Sequence, residues 1–187
     1  MATTADIRNG IVLKLDGSLY SVIEFGQNKT ARSAAKVWAK LKGVDNARSI
    51  EHTWNSGEVI HPVRIEKRTF QFLYKDDMGF NFMDNETFEQ ITMNEAAVDN
   101  PALYKDGQEC YININTETEQ PMNVELPSSV VLEVTYTEPG MKGDTATRTL
   151  KPATVETGAT VNVPLFVDAG EKIKIDSKTG AYMERVK

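Results

Sequence analysis

Hardly any stretch of this 187-residue chain runs far without a turn signal. Asp16-Gly17, Asn55-Ser56-Gly57, Asp84-Asn85, Asp106-Gly107, Pro139-Gly140 and Lys178-Thr179-Gly180 cut it into short apolar runs. These residues supply the left-handed or proline-fixed backbone that a tight reversal needs, so what lies between them is held to strand length. The pattern inside the runs agrees. Phe70, Phe72 and Tyr74 alternate, Ile112 and Ile114 share a face, and Val130, Leu132, Val134 and Tyr136 share another, the period of a half-buried strand. Further strands are predicted at 11–15, 19–25, 49–54, 80–83, 87–92, 110–115, 122–126, 160–167, 172–176 and 181–186. Residues 94–105 are the best remaining helical candidate, kept short by Pro101. Residues 143–150, with Thr145, Thr147 and Thr149, read as an exposed loop.

Prolines then divide the strands. The His61-Pro62 region interrupts one set, because proline donates no ladder hydrogen bond, and Pro127 with the serines after it marks a second junction. The predicted fold class is all-β, in three small barrels at residues 1–64, 65–127 and 128–187. The first has about five strands, and the other two have the scale of an oligonucleotide-binding (OB) fold. An elongated monomer follows. Hydrophobic residues make up 40% of the chain, enough for packed cores, and no run approaches the length of a membrane span. The N-terminus lacks the charged and apolar regions of a signal peptide. Cys110 is the single cysteine, so no intramolecular disulfide can form. A soluble, cytoplasmic protein with no membrane partner is expected.

Charge is spread unevenly. Residues 1–65 carry nine basic against six acidic side chains, 66–127 four against thirteen, and 128–187 eight of each. Within the first segment, residues 26–44 hold Lys29, Arg32, Lys36, Lys40 and Lys42 and no acid. A cationic arm on a chain of formal net charge −6 is the footprint of contact with a polyanion, the acidic middle being held clear of it; a solvated basic face is the plainer reading. Two periods compete here. Ala34, Val37, Trp38, Leu41 and Val44 fall near helical spacing, with Ser33 as N-cap and Gly43 as stop. Ala35, Val37, Ala39 and Leu41 also alternate strictly with Lys36, Trp38, Lys40 and Lys42, as in a two-faced strand. The Val-, Ile- and Phe-rich run at 21–25 favours the strand as its partner, with residues 27–34 as a hairpin tip from which Arg32 projects.

Catalytic constellations are largely excluded. The two histidines, His52 and His61, cannot build a histidine-rich metal site. There is no glycine-rich phosphate loop, and no nucleophile motif flanks any serine or Cys110. Asp76, Asp77 and Asp84 lie in turns, where carboxylates commonly bond their own backbone. No enzyme, metal or cofactor is expected.

The segment from Lys151-Pro152-Ala153-Thr154 through Val163-Pro164-Leu165-Phe166-Val167-Asp168-Ala169-Gly170 closely resembles the C-terminal signature of bacterial elongation factor P. Other matches run along the chain: Asp6-Ile7-Arg8-Asn9-Gly10, Phe82-Met83-Asp84, Glu86-Thr87-Phe88-Glu89-Gln90, Val124-Glu125-Leu126-Pro127, Glu138-Pro139-Gly140-Met141-Lys142-Gly143-Asp144-Thr145-Ala146 and Asp176-Ser177-Lys178-Thr179-Gly180-Ala181-Tyr182. The resemblance implies an SH3/KOW-like first barrel and two OB-fold domains. It also implies a factor that binds the ribosome beside peptidyl-tRNA and relieves stalling at consecutive prolines.

Where many family members read Lys-Pro-Gly-Lys-Gly at the tip, this chain reads Lys29-Thr30-Ala31-Arg32-Ser33. That is similar to the subgroup whose tip arginine carries rhamnose, which implies an arginine rhamnosyltransferase as a partner. Thr30-Ala31-Arg32 followed by Ala34-Ala35 is also similar to the elongation factor P-like paralogue, whereas Gly143-Asp144-Thr145-Ala146 matches the factor itself. The expected site is therefore Arg32 as modified tip, with Lys29, Lys36, Lys40 and Lys42 as tRNA or rRNA contacts. Trp38 either stacks on RNA or packs on the barrel, and Gly143, Asp144 and Thr145 form the loop facing the small subunit. Two readings from other classes stand beside it: a general single-strand RNA-binding protein, and a basic amphipathic helix at 33–44 for membranes or a partner groove.

Overall fold

A computed structural model describes residues 1–28, 35–44, 48–140 and 149–186. Their strands, in chain order, are β1 (Ala2–Thr3), β2 (Val12–Leu15), β3 (Ser18–Asn28), β4 (Lys36–Gly43), β5 (Ser49–Asn55), β6 (Val59–Val63), β7 (Ile65–Asp76), β8 (Gly79–Asp84), β9 (Gln90–Met93), β10 (Glu109–Asn115), β11 (Gln120–Glu125), β12 (Ser129–Thr137), β13 (Leu150–Val155), β14 (Thr160–Pro164), β15 (Lys172–Asp176) and β16 (Tyr182–Val186). They form three sheets, ordered β1-β6-β2-β3-β4-β5, β11-β10-β7-β8-β9 and β14-β13-β12-β15-β16. The all-β class read from the turn signals is what the chain adopts. Its contacts divide it into two compact units, Met1–Arg68 with Ile112–Asn123, and Thr69–Tyr111 with Val124–Lys187.

In the first unit, one core gathers Ile7 with the inward residues Leu13, Val22, Val37, Ala39, Leu41, Trp54 and Ile60 of the six-stranded sheet. Strand β6 runs through Pro62, where the sequence suggested an interruption. The ladder explains the tolerance. β1 pairs only with Val59 and Ile60, so beyond them β6 has an edge on which a missing N–H breaks no ladder bond.

In the second unit, Phe72, Phe80, Phe82 and Tyr104 pack with ring centroids 5.6–6.0 Å apart. A separate core gathers Val130, Leu132, Val134, Ala153, Val155, Val161, Val163, Val167, Ile173 and Ile175, and Leu103 joins it. Leu103 comes from the segment predicted as a helix. That segment instead forms two 3-10 turns, Glu95–Ala97 and Pro101–Leu103. Between them Val98 bridges to Val124, Asp99 donates its backbone N–H to the Val124 carbonyl, and Asn100 takes a left-handed backbone, its side-chain amide donating to the carbonyls of Ser177 and Lys178. Tertiary partners thus satisfy the backbone that a continuous helix would have used internally.

The predicted strand at 87–92 is shorter in the structure, as Gln90–Met93. The predicted loop at 143–150 ends in β13, which the sequence reading did not assign. Along β13 the inward positions are Lys151, Ala153 and Val155. Lys151 is buried but extends its ammonium to the carbonyl of Glu138 at 2.8 Å, the usual way a lysine stem lies along apolar surface.

Candidate RNA-facing hairpin

The stretch with two competing periods is a strand. β4 alternates exposed Lys36, Lys40 and Lys42 and half-buried Trp38 with buried Val37, Ala39, Leu41 and Gly43. β3 lies on one side and β5 on the other. Val37, Ala39 and Leu41 face Trp54, His52 and Ile50 of β5 across the ladder, so the apolar set is used up in the core. The helical reading, and with it the membrane-binding helix, does not survive this register. Among the described residues no helix is long and apolar enough to cross a membrane.

The outer face owes its composition to one irregularity. Val22 pairs with Leu41 and Glu24 with Lys40, so the register shifts at Ile23. An extra residue in one strand inverts the parity of everything beyond it. Without the bulge Glu24 and Gly26 would point inward. With it they join the lysine face, opposite Lys40 and Trp38, while Phe25 pairs with Ala39 on the other face and stays 42% exposed.

Four rows of side chains follow on that face. Lys36 lies between Asn28 and Asn55, Trp38 between Gly26 and Thr53, Lys40 between Glu24 and Glu51, and Lys42 between Ser21 and Ser49. The lysines are therefore not equivalent. Lys40 donates to the Glu24 carboxylate at 2.8 Å. That hydrogen bond, the Glu24 charge and the Glu51 charge together hold its ammonium above the usual lysine range. Lys36 and Lys42 face neutral neighbours.

Trp38 lies flat against the neighbouring strand. A Cβ on Gly26 would sit 2.8 Å from its indole ring, so this glycine makes room for the aromatic plane rather than for a turn. Neither Gly26 nor the acids flanking Lys40 was expected as part of the site. The available signal was a glycine inside a run otherwise rich in β-formers.

Lys29 and Arg32 fall outside the described residues, as do Gly143, Asp144 and Thr145. β3 and β4 end at Asn28 and start at Lys36, so the stem that carries the tip is built. Among the described residues no group of histidine, cysteine, aspartate and glutamate could hold a metal ion. His52 packs against Trp54 in a tilted pair, with centroids 4.5 Å apart. Cys110 is buried and donates weakly to the Phe70 carbonyl. Burial first, then the Glu109 charge, pushes its thiol up to about 12, the opposite of an activated nucleophile.

Three family models match in succession: the elongation factor P KOW-like domain over residues 3–60, its OB domain over 65–124, and its C-terminal domain over 130–185. Relatives match over the full length. The chain is 52% identical to an elongation factor P of Amoebophilus asiaticus, covering all of this chain and 98% of that one. It is 52% identical to an elongation factor P 1 of Porphyromonas gingivalis and 49% identical to an elongation factor P of Flavobacterium psychrophilum, with both chains of each pair covered completely.

Proposed function

Given that this chain belongs to the elongation factor P family, whose members are translation factors, we propose that it binds the ribosome beside peptidyl-tRNA and promotes peptide-bond formation at consecutive prolines. The observation that carries the reading is the match to all three domain models, in order, with relatives about half identical from end to end. The all-β architecture, a KOW-like barrel followed by OB domains, belongs to that family. We read the boundaries as 1–64, 65–127 and 128–187, and the factor as a monomer working in the cytoplasm, where ribosomes translate.

The proposed chemistry needs no acid, base or nucleophile from the protein. Holding the donor and acceptor in a reactive geometry lowers the barrier by supplying orientation in advance. The β3–β4 stem aims the tip, and Arg32 reaches the substrates as a group that stays cationic at any physiological pH. Lys36 and Lys42 supply phosphate contacts, joined by Lys29 at the tip, while Lys40 is partly spent on Glu24. Gly143, Asp144 and Thr145 approach the small subunit. The Asn28-Lys29 sequence ahead of Arg32, with Gly143-Asp144-Thr145-Ala146 further on, favours the arginine-tip factor over the paralogue. Rhamnose on Arg32, added by an arginine rhamnosyltransferase, would lengthen the tip and add hydroxyls.

The test is translation of a reporter with three consecutive prolines, using protein from the native host. Arg32→Ala and Arg32→Lys should both fail to restore synthesis, because lysine keeps the charge but lacks the planar five-donor guanidinium that a glycosyltransferase would modify. Intact mass should show one deoxyhexose on the wild type and none on either variant. Full rescue by Arg32→Lys would refute the need for modification, and full rescue by Arg32→Ala would refute the tip itself.

A further inference from the structure

Among the described residues, two buried side-chain oxygens have no hydrogen-bond partner, the hydroxyls of Tyr104 and Thr157. Both residues line the same cavity, of about 650 Å³, and every residue of its wall belongs to the second compact unit. That volume falls within the range of small-molecule sites. A buried hydroxyl without a partner costs stability, and folded proteins keep few of them. Phenylalanine at 104 would keep the edge-on ring contacts with Phe72, Phe80 and Phe82, and valine at 157 would keep the side chain's shape. Neither hydroxyl is needed for packing, and their convergence on one cavity points to a bond made to something bound there.

We infer that this cavity binds a small, uncharged heteroaromatic molecule of nucleoside size. Charge narrows the class first. Lys75 donates to Glu95 at 2.7 Å, Lys105 pairs with Glu156 at 3.4 Å, and Asp106 adds a third acid to the wall. Both cations are already held, so an anion such as a phosphate gains no partner and meets a net negative rim. Shape narrows it further. The lining includes Phe72, Phe80 and Tyr104, aromatic residues against which a flat ring packs well. A ring edge carrying amide or ring-nitrogen groups both donates and accepts, as two hydroxyls require, whereas a hydrocarbon would leave them unpaired. The walls are also set in advance. Lys105 donates to the Val131 carbonyl at 2.9 Å, and Glu156 accepts the Glu133 N–H at 3.0 Å. The Lys105–Glu156 pair is thus fastened to β12, and little ordering remains to oppose binding.

This site stands apart from the ribosome reading, and its test needs no ribosome. Full-length isotope-labelled protein is titrated with adenosine, with uridine, and with adenosine monophosphate as the charged counterpart, while amide resonances are followed. Saturable shifts are expected at Ala102 and Thr157, with a Kd of about 1 mM or tighter for at least one nucleoside. The monophosphate should bind at least about threefold more weakly than adenosine. Thr157→Val and Tyr104→Phe are each expected to melt no lower than wild type without ligand, since each removes an unpaired hydroxyl. Each should nonetheless weaken nucleoside binding about threefold to tenfold. A hydroxyl that serves only the fold would do the reverse. No saturable shift with either nucleoside, shifts confined to residues away from the cavity, wild-type affinity in both variants, or a lower melting temperature in both overturns the proposal.

Discussion

The unequal lysines of β4 make a quantitative forecast about salt. Each lysine that neutralises a phosphate releases counterions, steepening the fall of log affinity with log salt by about 0.7–0.9 per contact. Lys36 and Lys42 face neutral rows, whereas Lys40 is already bonded to Glu24 with Glu51 on its other side. Two contacts rather than three are therefore expected from this face. Changing Lys36 and Lys42 together to glutamine should flatten the slope by about 1.4–1.8, so that a fourfold rise in salt costs this variant roughly tenfold less of its own affinity than the same rise costs wild type. Lys40→Gln should weaken binding modestly through the lost charge but leave the slope near that of wild type. Glu24→Gln should free Lys40 and steepen the slope by about one contact. The assay is sedimentation of the protein with ribosomes bearing peptidyl-tRNA between 50 and 200 mM salt, the range over which phosphate contacts separate clearly. If Lys40→Gln flattens the slope as much as Lys36→Gln or Lys42→Gln alone, the pairing with Glu24 does not govern the face. If no variant changes the slope, the face is merely solvated.

Two further outcomes test the packing. Gly26→Ala should push the Trp38 indole off the strand, because the new Cβ meets the ring at 2.8 Å. The ring can swing outward, so the cost should stay within about 1–3 kcal/mol and appear as red-shifted emission that Trp38→Phe abolishes; an unshifted spectrum would contradict the contact. Alkaline stability should be limited by Cys110, whose thiol titrates near 8.5 when unfolded and is pushed up to about 12 in the fold. The neutral thiol is favoured by folding, so its stabilisation is complete below the unfolded value. It should be lost at about 1.4 kcal/mol per pH unit as pH climbs toward the folded one. Cys110→Ala should show a shallower loss in urea melts between pH 8 and 10, and identical slopes would refute the assignment.

What the sequence determined by itself was the material of the fold: short runs, closed by glycine, proline and asparagine turns, most of them held to strand length. Backbone preference at a turn is local, so Asp16-Gly17 or Lys178-Thr179-Gly180 could be read without knowing any partner. The basic stretch at 26–44 was legible as a candidate site for the same reason, since a cluster of like charge needs no neighbour to be seen. Which side chains share the face did require the tertiary structure. Glu24 meets Lys40 only because of the bulge at Ile23, and Glu51 meets it only because β5 pairs on the other side. Likewise, 94–105 carries enough apolar residues for a helix, but Val98, Asn100 and Leu103 are claimed by Val124, Ser177 and the core around Leu132. Register and docking depend on partners distant in the chain, and a residue's own propensity, worth at most about 1 kcal/mol in a strand, is overruled when those partners supply more.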